Sequence, residues 1–289
     1  MTDQSLAPRR LYMWAGGKHK LLKHYAPLFP ADTSRRPYVE PFFGGGAVFN
    51  ALAGAGLGPA VLSDINAELI GLLSMVRDAP EDLIARMAVL EARWMPLSPA
   101  ARKTLYYELR RSYWEHEDGP EATALLYFLM KTGFNGIWQT CRASRGRFAT
   151  PVGLANQRHA VFCPETVRLW SRKLSGARLM ACDYASVPVA AGAFVFCDPP
   201  YRGSFTSYGH VFDDDAQDAL IEWCRRTART RGATVWLSNR DLGDGFWESR
   251  APDARILRFP VTYTAGRRRR VDDGYAAVKA TEVLLAWNG

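Results

Sequence analysis

Cysteine is scarce and unpatterned in this chain. The five residues Cys141, Cys163, Cys182, Cys197 and Cys224 are odd in number, and no two are spaced as Cys-x-x-Cys. That argues against a disulfide framework and against a zinc site, and fits buried thiols. Long apolar runs are missing as well. No stretch reaches the ~18 uninterrupted apolar residues of a membrane-spanning helix, and Met1 to Arg10 lacks the apolar region of a secretory leader. A soluble, cytosolic protein with no membrane partner and no metal is expected. Repeats and low-complexity tracts are absent apart from Arg267-Arg268-Arg269-Arg270. Acidic residues are in deficit: 37 Lys plus Arg against 29 Asp plus Glu leave a net charge of +8. Such an excess favours a polyanionic partner through phosphate contacts and counterion release.

What is present is a core. The chain has 289 residues, 48% of them hydrophobic, enough for an α/β domain carrying a smaller inserted one. The run Ala193-Phe194-Val195-Phe196-Cys197 has the length and the β-branched and aromatic content of a buried parallel strand. It ends in Asp198-Pro199-Pro200-Tyr201. Ligands of open α/β sheets collect outside the carboxyl ends of strands. There the prolines fix φ and remove two donors, the Pro199 carbonyl stands free to accept beside the Asp198 carboxylate, and Tyr201 can lie against a flat ring. Together these suit a planar amine. Alone, the same four residues also fit a rigid strand exit with an exposed tyrosine.

Tyr38 to Phe49 reads as a strand end, a glycine turn (Gly44-Gly45-Gly46) and a helix start, a geometry in which backbone amides approach a ligand closely. A tight turn without a ligand fits too. Ala60 to Ser63 reads as a further strand ending at Asp64, which can accept from both ribose hydroxyls of a nucleoside or else cap the helix beginning near Asn66. Upstream, Trp14-Ala15-Gly16-Gly17-Lys18 places an aromatic face and a cation before a helical stretch expected over His19 to Leu28. The ring suits an adenine or a sulfonium and Lys18 a carboxylate.

Between Gly71 and about Leu179 strand signals nearly vanish. Leu83 to Leu90, Leu105 to Arg111 and Glu121 to Lys131 are helix-like, which predicts a small helical domain. Within it, Phe134-Asn135-Gly136 signals a tight turn, followed by Arg142, Arg145 and Arg147 and then Phe148. Aromatics interleaved with arginines suit a DNA-contacting loop, since rings wedge into base steps while guanidinium groups hold phosphates or guanine edges. A solvated basic loop packed on its own aromatics is the alternative.

These segments, in this order, resemble the Dam-type (D12 class, α-group) DNA adenine N6-methyltransferases: Trp-Ala-Gly-Gly-Lys, Glu-Pro-Phe-x-Gly-Gly-Gly, the ribose acid, a target-recognition region and Asp-Pro-Pro-Tyr. The resemblance runs from Trp14 to the strand ending near Trp287 and takes in Val235 to Arg240. It implies a Rossmann-like S-adenosylmethionine-dependent methyltransferase sheet over residues 1–70 and 180–289, with an inserted, mostly helical target-recognition domain over 71–179. It implies catalysis by Asp198, Pro199, Pro200 and Tyr201. S-adenosylmethionine would be held by Trp14, Lys18, Glu40, Pro41, Phe42, Gly44, Gly46, Asp64, Asp183 and Asp198. Double-stranded DNA would be held by Phe134, Asn135, Gln139, Arg142, Arg145 and Arg147, with the target base flipped out and the enzyme at work in the cytoplasm on the nucleoid. Two positions depart from the family pattern. Met13 stands where typical members carry a Lys, and Gln139 where they carry an Arg; both of those residues read guanines of GATC. The stretch up to Phe148 is also about two residues longer than usual. Recognition other than strict GATC is expected, because Met donates no hydrogen bond and Gln favours adenine. A methyltransferase for another exocyclic amine, or a catalytically silent DNA-binding relative, are the competing readings.

Overall fold

The four residues Phe194–Cys197 form a strand whose every side chain is buried. That is how a parallel strand covered on both faces must read. In the computed structural model, which describes residues 9–54, 56–153, 160–203, 212–271 and 274–288 of the chain (without the side chains of 263–278), it is β4 of a seven-stranded sheet. The others are β1 (Tyr38–Glu40), β2 (Ala60–Asp64), β3 (Arg178–Ala181), β5 (Thr234–Asp241), β6 (Arg255–Val271) and β7 (Gly274–Asn288). Their order is β3-β2-β1-β4-β5-β7-β6. The first five strands in that order pair in parallel, while β7 runs antiparallel to both β5 and β6. The strand order reverses between β1 and β4, the place where open α/β sheets bind ligands.

Alternation along β4 divides its burial. Val195 and Cys197 face a core with Val39, Val235, Leu237, Leu220, Cys224 and Trp247. Leu220 and Cys224 come from α8 (Asp214–Arg231) and Trp247 from α9 (Phe246–Arg250). On the opposite face Phe194 packs edge-on to Trp236, Phe196 to Tyr25, and Phe29 stacks on Trp236. Each such aromatic pair adds about 0.5–1.5 kcal/mol beyond its burial. The helix expected over His19 to Leu28 is instead a 3-10 turn at Lys18–Lys20, a single α-helical turn α1 (Leu22–Tyr25) and a second 3-10 turn at Ala26–Leu28. Pro27 has no N–H with which to continue an α-helical ladder.

The described residues divide into two compact units: 18–65, 176–203 and 212–288, which hold the sheet, and 9–17 with 66–175. The latter is helical, with α3 (Ala67–Asp78), α4 (Pro80–Trp94), α5 (Pro99–Glu115), α6 (Pro120–Thr132) and α7 (Pro164–Leu174), α2 (Ala47–Ala53) belonging to the sheet unit. Nearly every residue of α6 from Ala122 to Thr132 is buried, which makes it the central helix of its unit. Asn66 caps α3, its side chain accepting from the Leu69 amide at 3.1 Å, so the cap does not fall to Asp64. No described helix is long and apolar enough to cross a membrane.

Candidate catalytic site

Asp198 follows β4 directly, and its Oδ1 lies 2.5 Å from the Lys18 Nζ. Lys18 is only 2% exposed, whereas the Asp198 side chain keeps 22% of its surface open. The same ammonium stands 4.5 Å from the centroid of the Tyr201 ring. Carboxylate, cation and aromatic face thus form one cluster. Burial pushes the Asp198 carboxyl up to about 6, with Lys18 pulling against it. The loop backbone is held from the side by α8 and β5. Gln217 Nε2 donates to the Pro200 carbonyl at 2.9 Å, Asn239 Nδ2 donates to Gln217 Oε1 at 3.0 Å, and the Arg202 amide donates to Asn239 Oδ1 at 3.0 Å. Each bond removes a freedom that the loop would otherwise have beside Pro199.

The Tyr201 hydroxyl donates to Glu282 Oε2 at 2.5 Å and is 2.9 Å from Ser238 Oγ, which is 3.0 Å from the Tyr25 hydroxyl. Glu282, Ser238, Tyr25, Gln217 and Asn239 were not among the residues expected from sequence. A lone glutamate ahead of Val283-Leu284-Leu285, and Ser238-Asn239 closing the run Val235-Trp236-Leu237, were the available signals.

The ends of β1, β2 and β3 line up beside this loop in the sheet. Gly44 adopts φ 47° and donates its amide to Asp64 Oδ2 at 2.9 Å, which ties the glycine turn to the acid at the end of β2. Gly46 sits at φ 56°, and a Cβ there would meet the Phe43 ring at 2.4 Å, so only glycine fits. Phe42 stacks on Tyr184 at 5.3 Å and 29°. Pro41 is buried beneath the turn. Asp183 is exposed, and its carboxylate accepts from the Ala185 amide at 2.9 Å. Cys182 donates its amide to the Asp64 carbonyl, which brings the two acids to one edge. Glu40, expected to contact a ligand, is turned inward: it is buried, and its Oε2 accepts from the Tyr38 hydroxyl at 2.7 Å and the Phe49 amide at 3.2 Å. Burial pushes its carboxyl up to about 8. It shapes the turn from behind rather than from the open side.

In the helical unit, Asn135 (φ 54°, ψ 21°) and Gly136 (φ 64°) are both left-handed, and the Ile137 amide reaches the Phe134 carbonyl at 3.2 Å. This is the type I′ combination that Asn-Gly favours. The turn leaves Phe134 46% exposed. A Cβ on Gly136 would meet the Met13 carbonyl carbon at 2.6 Å, and the Ala15 amide donates to the Gly136 carbonyl at 2.9 Å. Trp14 therefore packs here, its ring 6.0 Å from both Tyr12 and Trp138. Met13 is 48% exposed beside it. Gln139 is half-buried with its backbone fixed on Ala149 and Thr150, while Arg142 and Arg145 are exposed. Arg147 departs from the expected DNA contact. Its guanidinium is engaged by Glu68 at 2.8 Å, Asp118 at 2.9 Å and the His116 carbonyl at 2.6 Å, and it covers the Tyr113 ring at 4.4 Å. A cation with that many internal partners clamps the loop to the helices. The Arg267 to Arg270 side chains lie outside the described residues.

The family model described as D12 class N6 adenine-specific DNA methyltransferase matches residues 14–257. The chain is 31% identical over 241 residues to the Type II methyltransferase M.MjaIII of Methanocaldococcus jannaschii, covering 78% of this chain and 82% of that protein. It is 29% identical over 242 residues to a DNA adenine methylase of Vibrio cholerae, covering 81% and 82%. It is 28% identical over 282 residues to the DNA adenine methylase of Escherichia coli K12, covering 94% and 95%.

Proposed function

Because the chain belongs to the D12 class of N6 adenine-specific DNA methyltransferases, we propose that its adenine-methylating chemistry takes place at the Asp198 loop, with Asp198, the Pro199 carbonyl and Tyr201 acting on the target amine. The protein methylates adenine N6 in DNA, and S-adenosylmethionine is the donor. When bound, the donor supplies an electrophilic methyl group on a sulfonium. The glycine turn with Gly44 and Gly46, the flanking Pro41 and Phe42, and the acids Asp64 and Asp183 form a donor set that suits a nucleoside: close backbone, an aromatic face and two carboxylates. Glu40 supports that turn from inside.

The N6 lone pair of adenine is delocalised into the ring, so the amine is a poor nucleophile. Hydrogen bonds from its two hydrogens to Asp198 and the Pro199 carbonyl draw the nitrogen toward a pyramidal geometry in which the pair is localised. With the donor bound, the nitrogen would take the methyl group while the donor's sulfur would keep the bonding electrons, so the charge on the amine is left for Asp198 to relieve. The amine must then shed one proton, and the Asp198 carboxylate that already accepts from it is placed to take that proton. Most of the remaining acceleration is alignment. The Tyr201 face supports the base once it has left the duplex, an extrusion that costs a few kcal/mol.

The observation that carries this reading is the cluster of Asp198, Lys18 and Tyr201 at the end of β4. Replacing Asp198 with Ala removes one preorganised contact, a loss of about 100- to 1000-fold in rate. Single-turnover transfer of a tritiated methyl group to duplex DNA measures it, and a variant keeping more than about half the wild-type rate would reject the assignment. For DNA we assign Phe134 as the intercalating ring and Asn135, Gln139, Arg142 and Arg145 as polar contacts, so the helical unit over 66–175, rather than the expected 71–179, serves recognition, and the enzyme works on the nucleoid. With Met13 and Gln139 where guanine-reading residues are expected, the recognition site is not strict GATC.

A further inference from the structure

We propose that Glu282 is a positioning residue for methyl transfer: it accepts the hydrogen bond of the Tyr201 phenol, which locks the ring and leaves the Asp198 carboxylate to the target amine. The inference rests on the reading of Asp198 and Tyr201 as the groups that meet the base. Glu282 is 3% exposed and precedes three fully buried residues of β7, Val283, Leu284 and Leu285. A carboxylate in such a place is costly unless it is hydrogen-bonded. Its Oε2 accepts from the Tyr201 hydroxyl at 2.5 Å.

The direction of the chain follows from what each group can do. A carboxylate only accepts, so the Tyr201 hydroxyl donates to it and must accept from Ser238, 2.9 Å away, and Ser238 in turn accepts from Tyr25 at 3.0 Å. Protons are thus ordered from Tyr25 through Ser238 and Tyr201 to Glu282. A phenol has one proton to give. A hydrogen bond from that phenol to Asp198 would lower the carboxyl's proton affinity. Were the phenol to donate there, it would occupy an acceptor position that the N6 hydrogen needs, since Lys18 already covers Oδ1. Glu282 draws the proton the other way, and the ring is pinned through its hydroxyl with its face beside Lys18.

The test is a double-mutant cycle on single-turnover methyl transfer, with Asp198→Ala as a control and the donor dissociation constant and melting temperature measured for each variant. Glu282→Leu is expected to lower the rate about 10- to 100-fold, as loss of a hydrogen bond to a charged group does, with donor affinity unchanged. Glu282→Gln, whose amide oxygen still accepts, is expected to recover most of that loss. In a Tyr201→Phe background, Glu282→Leu is expected to cost far less, because the proton it controls is gone. Equal losses in the two backgrounds would overturn the proposal, as would Glu282→Gln as slow as Glu282→Leu. Should Glu282→Leu fail to fold, the acid limb of the Glu282→Gln rate profile decides. That limb moves to lower pH if the lost charge faced Asp198, and an unmoved limb refutes the link. An Asp198→Ala control with full activity would instead refute the underlying site assignment.

Discussion

At Asp198 two influences oppose each other. Removal from water favours the protonated acid, while the Lys18 ammonium at 2.5 Å favours the carboxylate, and the balance leaves the group at about 6. Only the carboxylate can accept from the amine, so the transfer rate is expected to fall as pH drops through about 6. Lys18→Met removes the stabilising charge, raises the proton affinity of Asp198 and moves that acid limb to higher pH. Single-turnover rates between pH 5 and 9 check it. A limb at the same pH in both proteins would separate Lys18 from the chemistry. Asp198 and Lys18 were legible in the sequence because each lies in a dense local motif. Their pairing was not, since the sequence carries no record of which cation meets which acid across 180 positions. Glu282 was legible only as a charge out of place in an apolar strand, and Arg147 read as a surface cation because its partners Glu68 and Asp118 are distant in sequence.

Among the elements, the turn after β1 depends on a buried acid. Glu40 in the folded protein holds its proton up to about 8, against about 4.3 for a free Glu. An acid whose folded value is raised contributes stability that is complete below the unfolded value and is lost as pH rises through the folded one. Stability should therefore decline between about pH 4 and 8, by an amount on the order of a few kcal/mol from this group. Glu40→Gln, which keeps an acceptor for Tyr38 and Phe49, is expected to flatten that decline and to be at least as stable as wild type at pH 8. Denaturant melts at pH 5 and pH 8 measure the difference, and an equal pH dependence in both proteins would contradict the assigned burial. Strands β1, β2 and β4 were readable as short apolar runs bounded by turn signals, and β5 through the family resemblance of Val235 to Arg240. The helix over His19 to Leu28 was misread because its apolar spacing outweighed Pro27. The long antiparallel pairing of β6 with β7 had no clear signal, as much of it is polar.

The molecule as a whole carries an excess of cations, 37 against 29 anions, and it belongs to a family that methylates DNA. The basic balance and the family point to the same partner by independent routes, one through counterion release and the other through shared sequence. Parallel strands separated by helices made the fold class legible, and the change to helical patterning has its counterpart in a helical unit over 66–175. The recognition sequence stayed illegible beyond the two departures at Met13 and Gln139, because base readout depends on which side chains reach a groove. The most direct measurement expresses the wild-type and Asp198→Ala proteins in a host free of adenine methylation and maps N6-methyladenine across its genome. The expected result is methylation at a defined sequence not confined to GATC in the wild type, and none above background in the variant. The same methylated positions at similar occupancy in Asp198→Ala would contradict the assignment of catalysis to the β4 loop.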